Sequence, residues 1–317
     1  MSADLSQATC RPQPGPDTLA GSASRGWRMP WISLLAAVVV IVGAGVFLYP
    51  QAASWFASKD QSRIIVQDLM DMGEMDRINA QEFQKAREYN EMLVAGGLVG
   101  VTSVAPGGNI PTADGGAEAA GYNYDDLLNA SGLGTMGRLR VESAGVDLPI
   151  YHGTDDETLL KGVGHLRGTA LPVGGVGTRS VLTGHRGLAS STLFTHLDRV
   201  KVGDDIVIEV SGEVLQYRVR DIQVVEPDEG EAIYPEPGKD LVTLITCTPL
   251  GINTHRILVT GERVTPAEPE TVASAGATPT IPGFPWWAVA MSATVAVSGV
   301  YVWRSGYPSK RPKHGSR

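Results

Sequence analysis

The spacing of apolar and polar residues changes character several times along this chain. From Trp31 to Tyr49 the run "WISLLAAVVVIVGAGVFLY" is uncharged, and no charge occurs between Arg28 and Lys59. At 1.5 Å of rise per residue, a helix of this length crosses a hydrocarbon core of about 30 Å. A signal peptide has a shorter apolar centre, roughly 7–15 residues, and a small-residue cleavage site, which is missing before Lys59. An uncleaved membrane helix is expected over 31–49. A second apolar run, "GFPWWAVAMSATVAVSGVYVW", covers 283–303 and carries Trp286, Trp287, Tyr301 and Trp303 near its ends. Aromatic residues at those positions suit the two membrane interfaces.

Charges flanking the two runs set an orientation. Arg11, Arg25 and Arg28 precede the first, while Arg304, Lys310, Arg311, Lys313 and Arg317 follow the second. The positive-inside rule makes both tails, 1–30 and 304–317, cytoplasmic and leaves the region between the spans outside.

Residues 50–95 place Ile65, Leu69 and Met72, then Ile78, Phe83, Ala86 and Leu93, at helical spacing among many charges, which predicts a helical stalk. Periodicity stops in 96–121, "GGLVGVTSVAPGGNIPTADGGAEAAG", a long linker or lid. Beyond Tyr122 the period becomes two. Strands are predicted at 137–142, 146–151, 179–184, 205–210, 214–225, 241–247 and 255–264, with helical pieces at 156–162 and 191–199. Many short strands with few helices point to a mainly β domain over 122–265, a closed β-barrel in preference to a β-sandwich. Residues 266–282 then form a linker.

Composition narrows the chemistry. The net charge of −8 and the lack of a basic patch interleaved with aromatics argue against a nucleic-acid partner. Two cysteines make no disulfide framework and show no zinc spacing, so no metal or other cofactor is expected. With Cys10 inside, Cys247 is the thiol on the outer side, at the end of the predicted strand "LVTLITC". A lone strand-end cysteine is either a small buried hydrophobe or a nucleophile. The loop "TPLGIN" can turn the chain back and bring Arg256 beside Cys247, where a guanidinium could bind a developing oxyanion or form a structural ion pair. Among the possible proton carriers, His185 ends the run "RSVLTGH" and is followed by a glycine loop. His196 lies in a packed turn and His255 alternates with Arg256, whereas His152 and His165 stay open by spacing.

"TLITC", "TGHRG" and "NTHR" together resemble the sortases, cysteine transpeptidases of Gram-positive cell surfaces. "YDDLLN" (124–129), "LPIYHGT" (148–154), "GVGHLRGTALPVGG" (162–175), "VLTGHRGL" (181–188), "LFTHLDRVKVGD" (193–204) and "VTLITCTPLGINTHRILV" (242–259) are similar, in order, to the pilin-polymerising class C branch. The resemblance implies an eight-stranded sortase barrel without cofactor, with Cys247 as nucleophile, His185 as general acid and base, and Arg256 as oxyanion stabiliser. Thr246, next to the nucleophile, is assigned to substrate binding. The implied substrates are surface proteins or pilin subunits bearing an LPxTG-like signal, cleaved between Thr and Gly and transferred to a pilin lysine. Anchoring to a peptidoglycan precursor, plain thiol endopeptidase action and a non-catalytic pilus-assembly scaffold at the cell membrane are the alternatives. One departure stands out: 96–121 lacks the Asp-Pro-aromatic lid motif of class C members and any aromatic residue.

Overall fold

The computed structural model describes residues 26–74, 76–96, 122–279 and 282–307, and the predicted lid falls outside them except for Gly96. Helix α1 (Trp31–Glu74) passes through Pro50 without a break, so the expected span and the first part of the stalk are one element. Helix α2 (Asp76–Gly96) follows. Ile65, Ala86 and Leu93 are buried as the stripe predicts, but Ile78 is exposed, and the fully buried Tyr89 was not foreseen. Asn90 secures α2 to the domain, donating from Nδ2 to the Leu171 carbonyl and accepting from the Leu171 N–H at 2.7 Å.

The chain divides into two compact units, one of residues 1–44 with 291–317 and one of residues 45–290. In the first, the start of α1 lies beside the end of the last helix, α5 (Trp286–Ser305). The Arg28 N–H donates to the Gly306 carbonyl, and Trp27 Nε1 donates to the Trp303 carbonyl at 3.1 Å. Both helices are long and apolar enough to cross a membrane by length and composition.

The second unit contains a closed barrel of eight strands. They are β1 (Thr135–Val141), β2 (Val146–His152), β3 (Val163–His165), β4 (Thr178–Thr183), β5 (Asp205–Val210), β6 (Glu213–Val225), β7 (Asp240–Thr248) and β8 (His255–Val264). Their order around the barrel is β1-β2-β3-β4-β7-β8-β6-β5, closing back on β1. The seven strands predicted from alternation lie within two residues of their observed ends; β3, three residues following Gly162, has no counterpart among them. The helix predicted over 191–199 is instead a loop with a single 3₁₀ turn, Leu197–Arg199, whereas helix α3 (Asp156–Lys161) forms as expected. Asp155 caps α3, its carboxylate accepting from the Thr158 N–H.

Alternation decides which way each side chain points. On β7, Val242 and Leu244 enter the main core, while Ile245 joins a second cluster with Leu166, Val181, Val225, Ile233 and Leu258. The main core fills the barrel, and the second cluster lies on its outer wall beneath the β6–β7 connection. Within 266–282, expected as a linker, helix α4 (Pro269–Ala273) forms, and residues 268–277 are fastened to the wall. Buried Arg138 donates to the Ala277 carbonyl, Arg140 to Ser274, and the Glu268 N–H to Gln216 Oε1.

Candidate active site

Strand pairing brings the sequence candidates to one place. Cys247 and Arg256 are register partners on the antiparallel β7–β8 ladder, and Arg256 pairs with Val225 on β6. β4 lies parallel to β7 on its other side, with Thr183 opposite Ile245. That register runs past the end of β4, since the Gly184 N–H donates to the Ile245 carbonyl at 3.1 Å. One step further, His185 comes level with Cys247. Ile245 and Leu258 mark the outer face, so Cys247 and Arg256, each two residues along its strand, face outward too; His185 follows the end of β4 by two residues. Cys247 and Arg256 share a row on the outer wall, and the β4–β7 register carried past Thr183 sets His185 level with them.

Local packing fixes the histidine. A Cβ on Gly184 would come within 2.8 Å of the Phe194 ring, so only glycine fits there. The Phe194 N–H donates to the His185 carbonyl at 3.0 Å, folding the following loop back over the strand end. Gly187, with φ +77°, adopts a left-handed conformation beneath the Leu250 side chain of the β7–β8 loop.

Burial sets the electrostatics. Cys247 is half-buried, and burial pushes its thiol above the ordinary value, while the Arg256 charge pulls it back by less. His185 is held below the ordinary imidazole value by burial, partly offset by the Asp156 carboxylate on α3. Thiol and imidazole are therefore both neutral in most molecules near pH 7, and the thiolate–imidazolium pair is a minor form. The Arg256 side chain is anchored by Nη1, which donates to the Asn253 and His255 carbonyls at 3.0 Å each. Its Nε is buried and has no acceptor among the described residues.

Thr246 departs from its expected place. It is fully buried on the inward face, and its hydroxyl donates to the Gly184 carbonyl at 2.8 Å. Alternation turns its side chain away from the face that Cys247 occupies, and its hydroxyl secures β7 to β4. The other histidines also have places. His165 is fully buried, with Nε2 donating to the Ala170 carbonyl and Nδ1 accepting from the Tyr124 hydroxyl at 2.8 Å. His152 donates from Nε2 to the Leu127 carbonyl. His255 contacts Thr254, and His196 precedes the 3₁₀ turn. Sequence reasoning missed Asp156 and Arg186, since no pattern sets one carboxylate or arginine apart from its neighbours. Among the described residues, no group of three or more His, Cys, Asp or Glu could hold a metal ion.

A partly exposed thiol, an imidazole and a guanidinium in one row can carry out acyl transfer: attack on a carbonyl, proton delivery to the departing amine and stabilisation of the oxyanion between them. Comparison with known proteins agrees with this chemistry. Residues 139–264 match the sortase domain family model. The crystal structure of sortase C-1 from Actinomyces oris is 44% identical, with a TM-score of 0.52, covering 59% of this chain and 98% of that one. Sortase C from Streptococcus pneumoniae, described as informative on catalysis and pilin substrate specificity, is 31% identical with a TM-score of 0.55, covering 65% of this chain and 99% of that one. Sortase A of Bacillus anthracis is 30% identical over 129 residues, 41% of this chain, and the chain spans 60% of that relative's length.

Proposed function

This chain belongs to the sortase family, and we propose that it is a membrane-anchored cysteine transpeptidase that joins LPxTG-type surface proteins, most specifically pilin subunits, to an amine. The row formed by Cys247, Arg256 and the level of His185 on one outward face carries this reading. Two helices able to cross a membrane support an anchor; in this reading the basic residues flanking them leave both tails in the cytoplasm and the barrel on the outer side.

In the proposed reaction the Cys247 thiolate attacks the threonine carbonyl carbon of the sorting signal. The new C–S bond pushes the carbonyl electrons onto oxygen, and the Arg256 guanidinium, opposite Cys247 on β8, stabilises that charge. The intermediate collapses by breaking the C–N bond to glycine, and the His185 imidazolium protonates the departing amine. The thioacyl enzyme is resolved by an incoming amine, whose excess proton passes to His185 as the thiolate leaves. No cofactor takes part.

The pilin acceptor rests on the likeness to class C relatives, one of which is described in terms of pilin substrate specificity. The full chain in detergent, given an LPxTG peptide and a pilin-derived lysine peptide, should form a thioacyl adduct on Cys247 and an amide-linked product, both visible by mass spectrometry. Cys247→Ala should form neither. Product with a peptidoglycan-type amine alone would turn the reading to cell-wall anchoring. A Cys247 that forms no adduct and resists alkylation would leave the scaffold reading.

A further inference from the structure

We propose that Arg186 is a positioning residue that holds His185 level with Cys247, acting from the side of the sheet opposite the reacting groups. The proposal rests on the transpeptidase reading of the same site. The register between β4 and β7 has a constant offset, and two side-chain bonds repeat it. Thr246 Oγ1 to the Gly184 carbonyl spans 62 residues, and Arg186 Nη1 to Thr248 Oγ1, at 3.0 Å, spans 62 residues as well. His185 and Cys247 are the pair between these two clamps. Alternation turns Arg186 and Thr248 away from the face that carries the thiol and the imidazole.

The ladder ends at Thr183, so His185 has no strand partner of its own to fix its height. The Arg186 guanidinium supplies the missing constraint through three of its nitrogens. Beyond the bond to Thr248, Nε donates to the Thr195 carbonyl at 3.2 Å and Nη2 pairs with Asp198 at 2.9 Å. The Gly187 N–H donates to Thr195 Oγ1 at 3.2 Å, adding a backbone tie to the same loop. With only 8% of its side chain exposed, the guanidinium is a rigid fork joining the residue after the histidine to the residue after the cysteine. Lysine, a flexible point donor, cannot hold the three directions together.

The test follows peptide cleavage by the full chain in detergent across pH, beside the alkylation rate of Cys247 by iodoacetamide. Arg186→Met should lower kcat by about tenfold or more and leave KM within about twofold, since misplacing a reacting group by an ångström costs turnover more than binding. Its acid limb should move, because the His185 environment loosens, while alkylation at a pH where the thiol is fully ionised stays unchanged. Arg186→Lys should recover only part of the loss. Thr248→Val, which removes one acceptor, should lower kcat by about threefold. If Arg186→Met does not fold, the Lys and Val variants decide. Unchanged kcat and pH profile in those variants, or a rise in KM alone, overturns the proposal. A wild-type chain that forms no thioacyl adduct overturns the transpeptidase reading and this proposal with it, whereas an active wild type beside an unaffected variant overturns the proposal alone.

Discussion

Cys247 and Arg256 stand directly opposite one another on adjacent antiparallel strands, so their side chains leave the sheet on the same face. The thiol gains a neighbouring cation from this pairing, and burial still outweighs it. Arg256→Ala should therefore raise the thiol further and lower kcat/KM by about 10²–10³-fold, the usual effect of losing an oxyanion donor. Arg256→Lys should restore the thiol's titration better than the turnover, because the two carbonyls that orient the guanidinium fork do not orient an ammonium. Alkylation midpoints and peptide kinetics measured on the same three proteins separate the two effects.

Turnover should be bell-shaped in pH, and broader than unperturbed groups would make it. The reactive form needs thiolate and imidazolium together. The thiol lies above its ordinary value, which moves the alkaline limb up, and the imidazole below its own, which moves the acid limb down. A single rise continuing through the alkaline range would count against His185 as the acid.

Thr246→Val removes the hydroxyl bond to the Gly184 carbonyl and keeps the shape. Stability should fall by about 1 kcal/mol, read from the denaturant midpoint. KM for a sorting-signal peptide should be unchanged; a large rise in KM would place Thr246 in the substrate site after all.

Acid should weaken the barrel through His165. Burial lowers this imidazole from 6.5 to about 4, so the unfolded chain takes up the proton first as pH falls. Stability is complete above the unfolded value and is lost progressively between about 6.5 and 4, by about 3 kcal/mol at most. Replacing His165 with Gln should flatten the pH dependence of the unfolding midpoint over that window.

Much of this was legible in the chain because a half-buried strand writes its period into its residues. Strands β5 and β8 have the ends that alternation predicted. The three residues of β3 are too few to show a period, and the "LFTHL" stretch is apolar because it wraps the histidine loop, with Phe194 against Gly184, and not because it is helical. Residue type and strand-end position marked Cys247 and Arg256 as candidates, whereas His185 was set apart from His152 and His165 by the family resemblance. The inward place of Thr246 was legible too, since the same alternation that separates His255 from Arg256 separates Thr246 from Cys247. Arg186 was invisible, since its role comes from a register between strands far apart in the chain.

That register also times the appearance of reactivity. Cysteine and arginine meet across a hairpin, a local contact that a partly folded chain can make early. Histidine arrives through a parallel pairing, which forces the chain to travel through β5 and β6 before β7 can lie beside β4. A nascent or misassembled chain thus carries a thiol without its acid. In the proposed reading, transpeptidase competence therefore arrives together with the finished barrel.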